Sequence, residues 1–172
     1  MELRLYGDPV LRKKAQPVDH FDSKLRQLVS DMIESLYSED GVGLAAPQVG
    51  VSLRVAVVDP TAGEAEPYVL INPQIISSSD EIVANDEGCL SLPGITLSIK
   101  RPSKVTVKAC DLEGKEYIIE NAEGLLCRAL QHELDHLDGI MIVDHVSMLQ
   151  RQMINGKLKK MVKSGREKSQ TD

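Results

Sequence analysis

Two histidines and a glutamate on one predicted helix are the residues best placed to do chemistry. The run His132-Glu133-Leu134-Asp135-His136 sets the histidines four positions apart, so both imidazoles lie on the same helix face and can reach one metal ion. Glu133 follows the first histidine and can reach a water molecule on that ion. This pattern predicts metal-assisted hydrolysis, in which the carboxylate accepts a proton from the water.

The two histidines need a third protein ligand, because a catalytic metal usually takes three and keeps one position for water. A continuation of the type His-x-x-Gly-x-x-His fails, because residue 142 is isoleucine. His145 follows the predicted end of the helix, and His20 lies far upstream. We interpret both as surface or structural histidines, although the position of His145 does not forbid a metal role.

Cys89 is the best candidate for the third ligand. It lies in the segment Glu87–Gly94, where two glycines and a proline suit a loop whose backbone comes close to a ligand. A thiolate is a strong ligand for zinc or iron. Cys127 points away from the histidine face of its helix, and Cys110 ends a predicted strand, so neither is expected to bind the metal.

A loop with three glycines and a proline, Gly41–Gly50, precedes a predicted buried strand. It lacks the Lys-Ser/Thr ending of a phosphate loop. It is either a tight connection between a helix and a strand, or a close-packed loop that presents backbone N–H groups and the Gln48 amide to a ligand.

Together, these three segments resemble the motifs of the peptide deformylases. The family's motifs are Gly-x-Gly-x-Ala-Ala-x-Gln, Glu-Gly-Cys-Leu-Ser and His-Glu-x-x-His. The chain matches them in the same order at Gly41–Gln48, Glu87–Ser91 and His132–His136. The resemblance covers residues 1 to about 150, and three motifs in order are far more specific than any one of them.

The resemblance implies hydrolysis of the N-formyl group from the initiator methionine of new polypeptides, with release of formate. It implies Cys89, His132 and His136 as ligands of one Fe²⁺ ion, which Zn²⁺ or Ni²⁺ can replace. Glu133 is then the general base, while the Gln48 side chain and the backbone N–H of Leu90 stabilise the developing oxyanion.

The substrate chain is expected to pair as an added strand between two segments of the site. These segments are Val42–Gly43 on one side and Gly88–Leu90 on the other. Val42 and Ala129 are candidates for the apolar pocket of the methionine side chain. Arg128 stands one turn before the first histidine, where an apolar residue is expected, so it makes the shape of this pocket an open question. Asp135 is expected to pair with a basic residue, for which Arg101 is the candidate.

The elements that must position these residues follow from periodicity. A helix is predicted at 22–37 with Asp22 as its cap, and another at 123–138, ended by Gly139. A third helix begins near Ser147 and is interrupted at Asn155-Gly156. Together they predict an α+β fold with antiparallel or mixed sheets around a central metal-binding helix, flanked by an N-terminal and a C-terminal helix. Strands are predicted at 53–58, 68–72, 74–77, 81–83, 104–111 and 116–120, with a short one at 140–143.

Composition narrows the class of protein. The chain has 172 residues, a net charge of −6 and three cysteines, which suits one domain in a reducing compartment and not a disulfide scaffold. Its apolar runs are too short for a membrane span, and 3% aromatic residues leave few platforms for stacking bases. No membrane partner and no specific DNA partner is expected.

The charge is unevenly distributed along the chain. Residues 151–172 carry +5, so residues 1–150 carry −11. We therefore divide the chain into a catalytic domain, 1–150, and a basic C-terminal helix or tail, 151–172. The tail is either a solvated helix end or a segment that binds ribosomal RNA. A bacterial cytoplasmic location is expected, since the N-terminus lacks the features of a transit peptide.

Two other functions compete with deformylation. One is a different small metallohydrolase or peptidase that uses the same helix, which predicts cleavage of unformylated peptides. The other is a non-enzymatic, ribosome-associated module with a structural metal, which predicts a closed coordination shell and no hydrolysis.

Overall fold

In the computed structural model, which describes residues 1–168, two antiparallel sheets surround a central helix. This confirms the predicted α+β class. Residues 169–172, the end of the predicted basic tail, lie outside the described residues. The helices are α1 (Ser23–Ser38), α2 (Gly124–Leu137) and α3 (Met148–Lys168), and the strands are β1 (Gly43–Ala45), β2 (Val55–Val58), β3 (Tyr68–Ser78), β4 (Ile82–Gly88), β5 (Thr96–Pro102), β6 (Lys104–Cys110) and β7 (Glu116–Glu123).

The larger sheet has the order β1-β2-β3-β6-β7, and β4 pairs with β5 in a separate hairpin. Strand β6 buries Val105, Val107 and Ala109, as its alternation predicts. β6 and β7 form the predicted hairpin. All four residues of β2 are buried, which fits its unbroken apolar run. The sheet therefore gives α2 an apolar surface to pack on.

Helix α2 carries the two histidines into the protein interior. Leu130, Leu134 and Leu137 form its buried apolar stripe, which packs toward the larger sheet. The helix stops before Gly139, which has φ = +75° and serves as the predicted left-handed terminator. Asp22 caps α1 as predicted, since its side chain accepts a hydrogen bond from the N–H of Leu25 at 3.0 Å.

Several strand predictions were wrong. β4 continues to Gly88, beyond the predicted 81–83, and β1 was not predicted. The segments 68–72 and 74–77 form one strand, β3, with a register shift at Asn72, whose side chain bonds both backbone groups of Val18. β5 was not predicted, because Arg101 occupies an inward position and ends the apolar alternation there. Residues 140–143 do not form a strand; the chain makes a 3-10 turn at Ile142–Asp144, and the Asp144 carboxylate accepts a hydrogen bond from Met141 N–H.

Helix α3 runs through Asn155-Gly156 without the predicted interruption. Packing explains this, because Leu158 is buried in a cluster with Leu11 and Ile142, and tertiary contacts outweigh the low helix propensity of glycine. The helix also lies close to Gly7, where an added Cβ would be 2.6 Å from Val162 Cα. Within residues 1–168, no helix combines the length and the apolar character that a bilayer crossing requires.

Candidate active site

Cys89, His132 and His136 come together as the sequence predicts. Cys89 directly follows β4, while the histidines lie one turn apart on α2. Cys89 Sγ is 3.3 Å from His136 Nε2, which is 3.2 Å from His132 Nε2. The three candidate ligand atoms all lie within 4.8 Å of one another, and the group is the one set in the described chain whose geometry could hold a metal ion.

The donor set fits a metal ion. Bond lengths of about 2.0–2.1 Å to nitrogen and about 2.3 Å to sulfur place tetrahedral ligand atoms about 3.3–3.6 Å apart, close to the separations found here. Burial and the neighbouring His132 lower the pKa of His136 well below its ordinary value, so the imidazole stays neutral and keeps a lone pair. One thiolate and two imidazoles suit a borderline-soft divalent ion.

Glu87 orients the first of these histidines. Its Oε1 lies 2.9 Å from Nδ1 of His132, and two arginine side chains also donate to its carboxylate. Burial alone would raise the pKa of Glu87, but the hydrogen bonds from His132 and the arginines outweigh it and lower the pKa to about 2. The carboxylate is therefore ionised and accepts the Nδ1 proton, which points Nε2 of His132 toward the other two candidate ligands. Burial alone would lower the pKa of His132, but hydrogen bonds to Cys89 and Glu87 outweigh it and raise the pKa well above its ordinary value, so a metal ion that binds Nε2 would displace a proton from it.

Asp135 pairs with Arg101, as predicted. Arg101 donates Nη1 to Asp135 Oδ2 at 2.8 Å, and donates Nε and Nη2 to Glu87 at 2.7 and 2.9 Å. His145 lies outside the ligand group, with its Nε2 2.7 Å from the same Asp135 oxygen. This chain of charged groups fixes the β4–β5 hairpin against α2, because Glu87 and Arg101 belong to the hairpin and Asp135 to the helix.

Glu133 has the environment of a general base. Its side chain is buried and lines the same cleft as the ligands. Burial raises the pKa of Glu133 to about 7, because the ionised carboxylate loses its hydration. Among residues 1–168, no group donates a hydrogen bond to its buried Oε2. This oxygen is therefore available to accept a proton.

Gln48 is held with its amide NH₂ toward the ligand group. Its Oε1 accepts the backbone N–H of Ala45 at 2.9 Å, and its Nε2 donates to Ser91 Oγ at 3.1 Å. The same nitrogen lies 3.7 Å from Cys89 Sγ. This orientation follows from the 3-10 turn at Ala46–Val49, which brings Gln48 back over β1.

A cleft of about 420 Å³ opens beside these groups. It lies between β1, the segment after β4, and α2. Every residue that the sequence predicted for substrate binding or oxyanion stabilisation lines it, namely Val42, Gly43, Gln48, Gly88, Leu90 and Ala129. Three separate elements of the fold therefore contribute residues to one concave site.

Comparison with known proteins decides the family. A family model described as polypeptide deformylase matches residues 1–152. The chain is 50% identical to the peptide deformylase of Thermodesulfovibrio yellowstonii over 161 residues, which is 92% of this chain and 96% of that protein. The chain belongs to the peptide deformylase family.

The crystal structure of a peptide deformylase from Legionella pneumophila superposes with a TM-score of 0.88 at 46% identity, covering 92% of this chain and 93% of that one. A peptide deformylase from Arabidopsis thaliana gives a TM-score of 0.92 at 40% identity, with 98% of this chain and 93% of that one covered.

As a peptide deformylase, the chain is a metal-dependent hydrolase. It removes the N-formyl group from the N-terminal formylmethionine of new polypeptides and releases formate. The predicted activity is confirmed. Neither competing function, the unrelated peptidase or the non-enzymatic metal module, is favoured by these matches.

The guanidinium of Arg128 is hydrogen-bonded to groups of β4 and β5. It donates to Glu87 Oε2 at 2.6 Å and to the backbone oxygens of Ile99 and Val83 at 3.0 and 2.9 Å. The positive charge is therefore paired with Glu87 and tied to β4 and β5, although Arg128 also lines the cleft.

Sequence reasoning missed the role of Glu87. Glu87 stands two residues before Cys89, but its neighbours in sequence do not indicate its role, because its partners Arg101 and Arg128 come from β5 and α2. The other cysteines lie outside the ligand group as expected, with Cys127 Sγ 3.5 Å from the Pro102 carbonyl oxygen. His20 is exposed at the surface.

Proposed function

We propose that Cys89, His132 and His136 hold the catalytic ion of this deformylase and that the neighbouring groups carry out the proton transfers. The bound ion supplies Lewis acidity, which lowers the pKa of a water molecule and polarises the formyl carbonyl. The observation that carries the proposal is the convergence of one sulfur and two nitrogen atoms beside the buried carboxylate of Glu133, whose Oε2 accepts no hydrogen bond from the part of the chain that the structure describes.

Glu133 is proposed as the general base and then the general acid. Its carboxylate accepts a proton from the attacking water and delivers it to the amine nitrogen that leaves as the C–N bond breaks. A pKa raised to about 7 by burial suits both directions of transfer, because a catalytic group works best when its pKa lies near the working pH.

Gln48 and Leu90 are proposed to stabilise the oxyanion that develops on the formyl oxygen. The Gln48 amide is fixed by Ala45 and Ser91, so its NH₂ needs no reorganisation when charge develops. The N–H of Leu90 is proposed as the second donor. Losing one such donor typically costs about 2.7–4 kcal/mol of transition-state stabilisation.

The formyl-methionyl chain is proposed to lie along β1 and the segment after β4. β1 is an edge strand whose partner within the larger sheet is β2, so a peptide can add to its other side. Val42 and Gly43 line the cleft at β1, and Gly88 and Leu90 line it across from β1. Ala129 lines it from α2.

We propose Fe²⁺ as the physiological ion, one per chain, with Zn²⁺ or Ni²⁺ able to replace it. The ligand set supports any of these ions, and the thiolate of Cys89 adds sensitivity to oxidation. Because dioxygen oxidises Fe²⁺ to Fe³⁺ but leaves Ni²⁺ unchanged, iron-loaded protein should lose activity in aerated buffer faster than nickel-loaded protein with the same thiolate ligand. A long active half-life of the iron form in air would contradict the assignment.

The exposed basic residues of α3 are proposed to hold the enzyme against ribosomal RNA, in keeping with a cytoplasmic location in a bacterium. Arg151, Lys157, Lys159 and Lys163 are exposed. Truncation would remove the core residue Leu158, so charge reversal is the cleaner test. Lys159→Glu/Lys163→Glu should weaken binding to ribosomes at low salt more than Lys13→Glu/Lys14→Glu does, and equal binding by both would leave α3 without this role.

The activity itself is tested with formyl-Met-Ala-Ser and Met-Ala-Ser as substrates of the anaerobically purified protein. Formate should be released from the first, and the second should not be cleaved. Cleavage of the unformylated peptide would support the peptidase instead.

A further inference from the structure

We infer that Gly43 is a positioning residue for Glu133, because its missing side chain makes room for the carboxylate. A Cβ built on Gly43 would lie 2.8 Å from both Cδ and Cγ of Glu133 and still closer to Oε1. Separations below about 3 Å are not tolerated between non-bonded carbon atoms. The inference rests on the proposed function of Glu133 as the base.

The backbone around Gly43 is fixed and cannot easily retreat. The Val42 carbonyl oxygen accepts the N–H of Asp59 at 2.8 Å, and the Ala45 N–H donates to Gln48. Gly43 itself is in register with Val58 of the fully buried strand β2. β1 is therefore held by β2 on the side away from the cleft, and Gln48, which lines the cleft, holds it at Ala45.

Glu133 is fixed from the other direction. It lies on α2 between the two histidines, and its neighbours Leu130 and Leu134 are buried. Since Oε2 of Glu133 has no hydrogen-bond donor within residues 1–168, polar partners do not hold that end of the carboxylate. Steric contact with the bare backbone of Gly43 limits where the carboxylate can go, so an added methyl group must displace it toward the ligand group or the cleft.

This role differs from lining the cleft for substrate. A residue that only contacts the peptide would affect KM when changed, whereas displacement of the base lowers kcat. A displacement of about 1 Å at a reacting group can cost about 10²-fold in rate. We therefore expect Gly43→Ala to lower kcat about 10²-fold while one metal ion per chain is retained. Gly156→Ala is the control, since an added Cβ there meets open space.

A double-mutant cycle in stability tests the contact without relying on turnover. The unfolding temperatures of four metal-loaded proteins are compared: wild type, Gly43→Ala, Glu133→Ala and the double variant. Gly43→Ala should lower the unfolding temperature of the wild type but not that of the Glu133→Ala protein, in which the methyl group enters the space that the carboxylate left.

If Gly43→Ala lowers the unfolding temperature equally in the wild-type and Glu133→Ala proteins, the inference is overturned. A Gly43→Ala protein with normal kcat, or with a change confined to KM, would overturn it as well. A near-normal kcat in Glu133→Ala alone would instead overturn the proposed base. The two failures are thus distinguishable. If Gly43→Ala is too unstable to assay, recovery of the unfolding temperature in the double variant still tests the contact.

Discussion

At the residue scale, the site depends on one buried carboxylate that no metal would touch. Glu87 accepts hydrogen bonds from His132, Arg101 and Arg128, so it joins a ligand-bearing helix to a ligand-bearing hairpin. The metal ligands could be predicted from sequence because their spacing is local or their residue type is rare. Glu87 could not, because its partners are brought together only by the fold.

Glu87→Gln should weaken metal binding about 10–100-fold, the usual cost of removing a group that orients a metal-bound histidine. The amide cannot accept from both arginines and His132 as a carboxylate does. Metal release to a chelator, followed by metal analysis, measures the effect. Glu120→Gln, at an exposed position, is the control and should match the wild type; equal release rates for all three proteins would contradict the role of Glu87.

At the element scale, helices were easier to predict than strands. α1 and α2 carry caps and apolar stripes within their own sequences, so their bounds were close to those found. β5 was missed because an inward arginine, Arg101, replaces the apolar residue that alternation requires. The same arginine serves the site, so the local pattern breaks where function demands a buried charge. The predicted interruption of α3 at Gly156 was wrong, because the residues that α3 packs against lie far away in sequence.

Two glycine substitutions with opposite expected effects on stability test the description of the helices. Gly139→Ala should destabilise the protein by about 1–3 kcal/mol, because φ is +75° and the new Cβ would lie 2.7 Å from the Arg12 carbonyl oxygen. Gly156→Ala, within α3, should stabilise it by about 0.5–1 kcal/mol. Urea unfolding of both variants measures the difference. Destabilisation by Gly156→Ala would contradict a continuous helix.

At the scale of the whole molecule, the loss of stability in acid is expected to depend on buried carboxylates such as Asp59. The Asp59 carboxylate accepts hydrogen bonds from the backbone and hydroxyl of Thr61, from Gly63 N–H and from Tyr37. The bonds from Thr61 contribute most to lowering the pKa of Asp59 from 3.8 to about 2. The acidic body and basic C-terminal segment were visible in the sequence, whereas which carboxylates are buried was not.

Since the folded pKa of Asp59 lies below its unfolded value, its ionised form stabilises the folded protein above about pH 4. That contribution should be lost as the pH falls toward 2. The free energy of unfolding, measured in urea from pH 5 to pH 2.5, should therefore fall less steeply in Asp59→Asn than in wild type. Asp19→Asn, at an exposed position, is the control, and identical slopes for Asp59→Asn and wild type would contradict the assignment.

The central claim is that Glu133 transfers the proton at a metal held by Cys89, His132 and His136. The most direct measurement is kcat for formyl-Met-Ala-Ser, together with the metal content, in Glu133→Ala and in the isosteric Glu133→Gln. Both variants should retain one metal ion per chain and lose nearly all turnover, by about 10²–10⁴-fold. A metal-loaded variant with near-normal kcat would contradict the account.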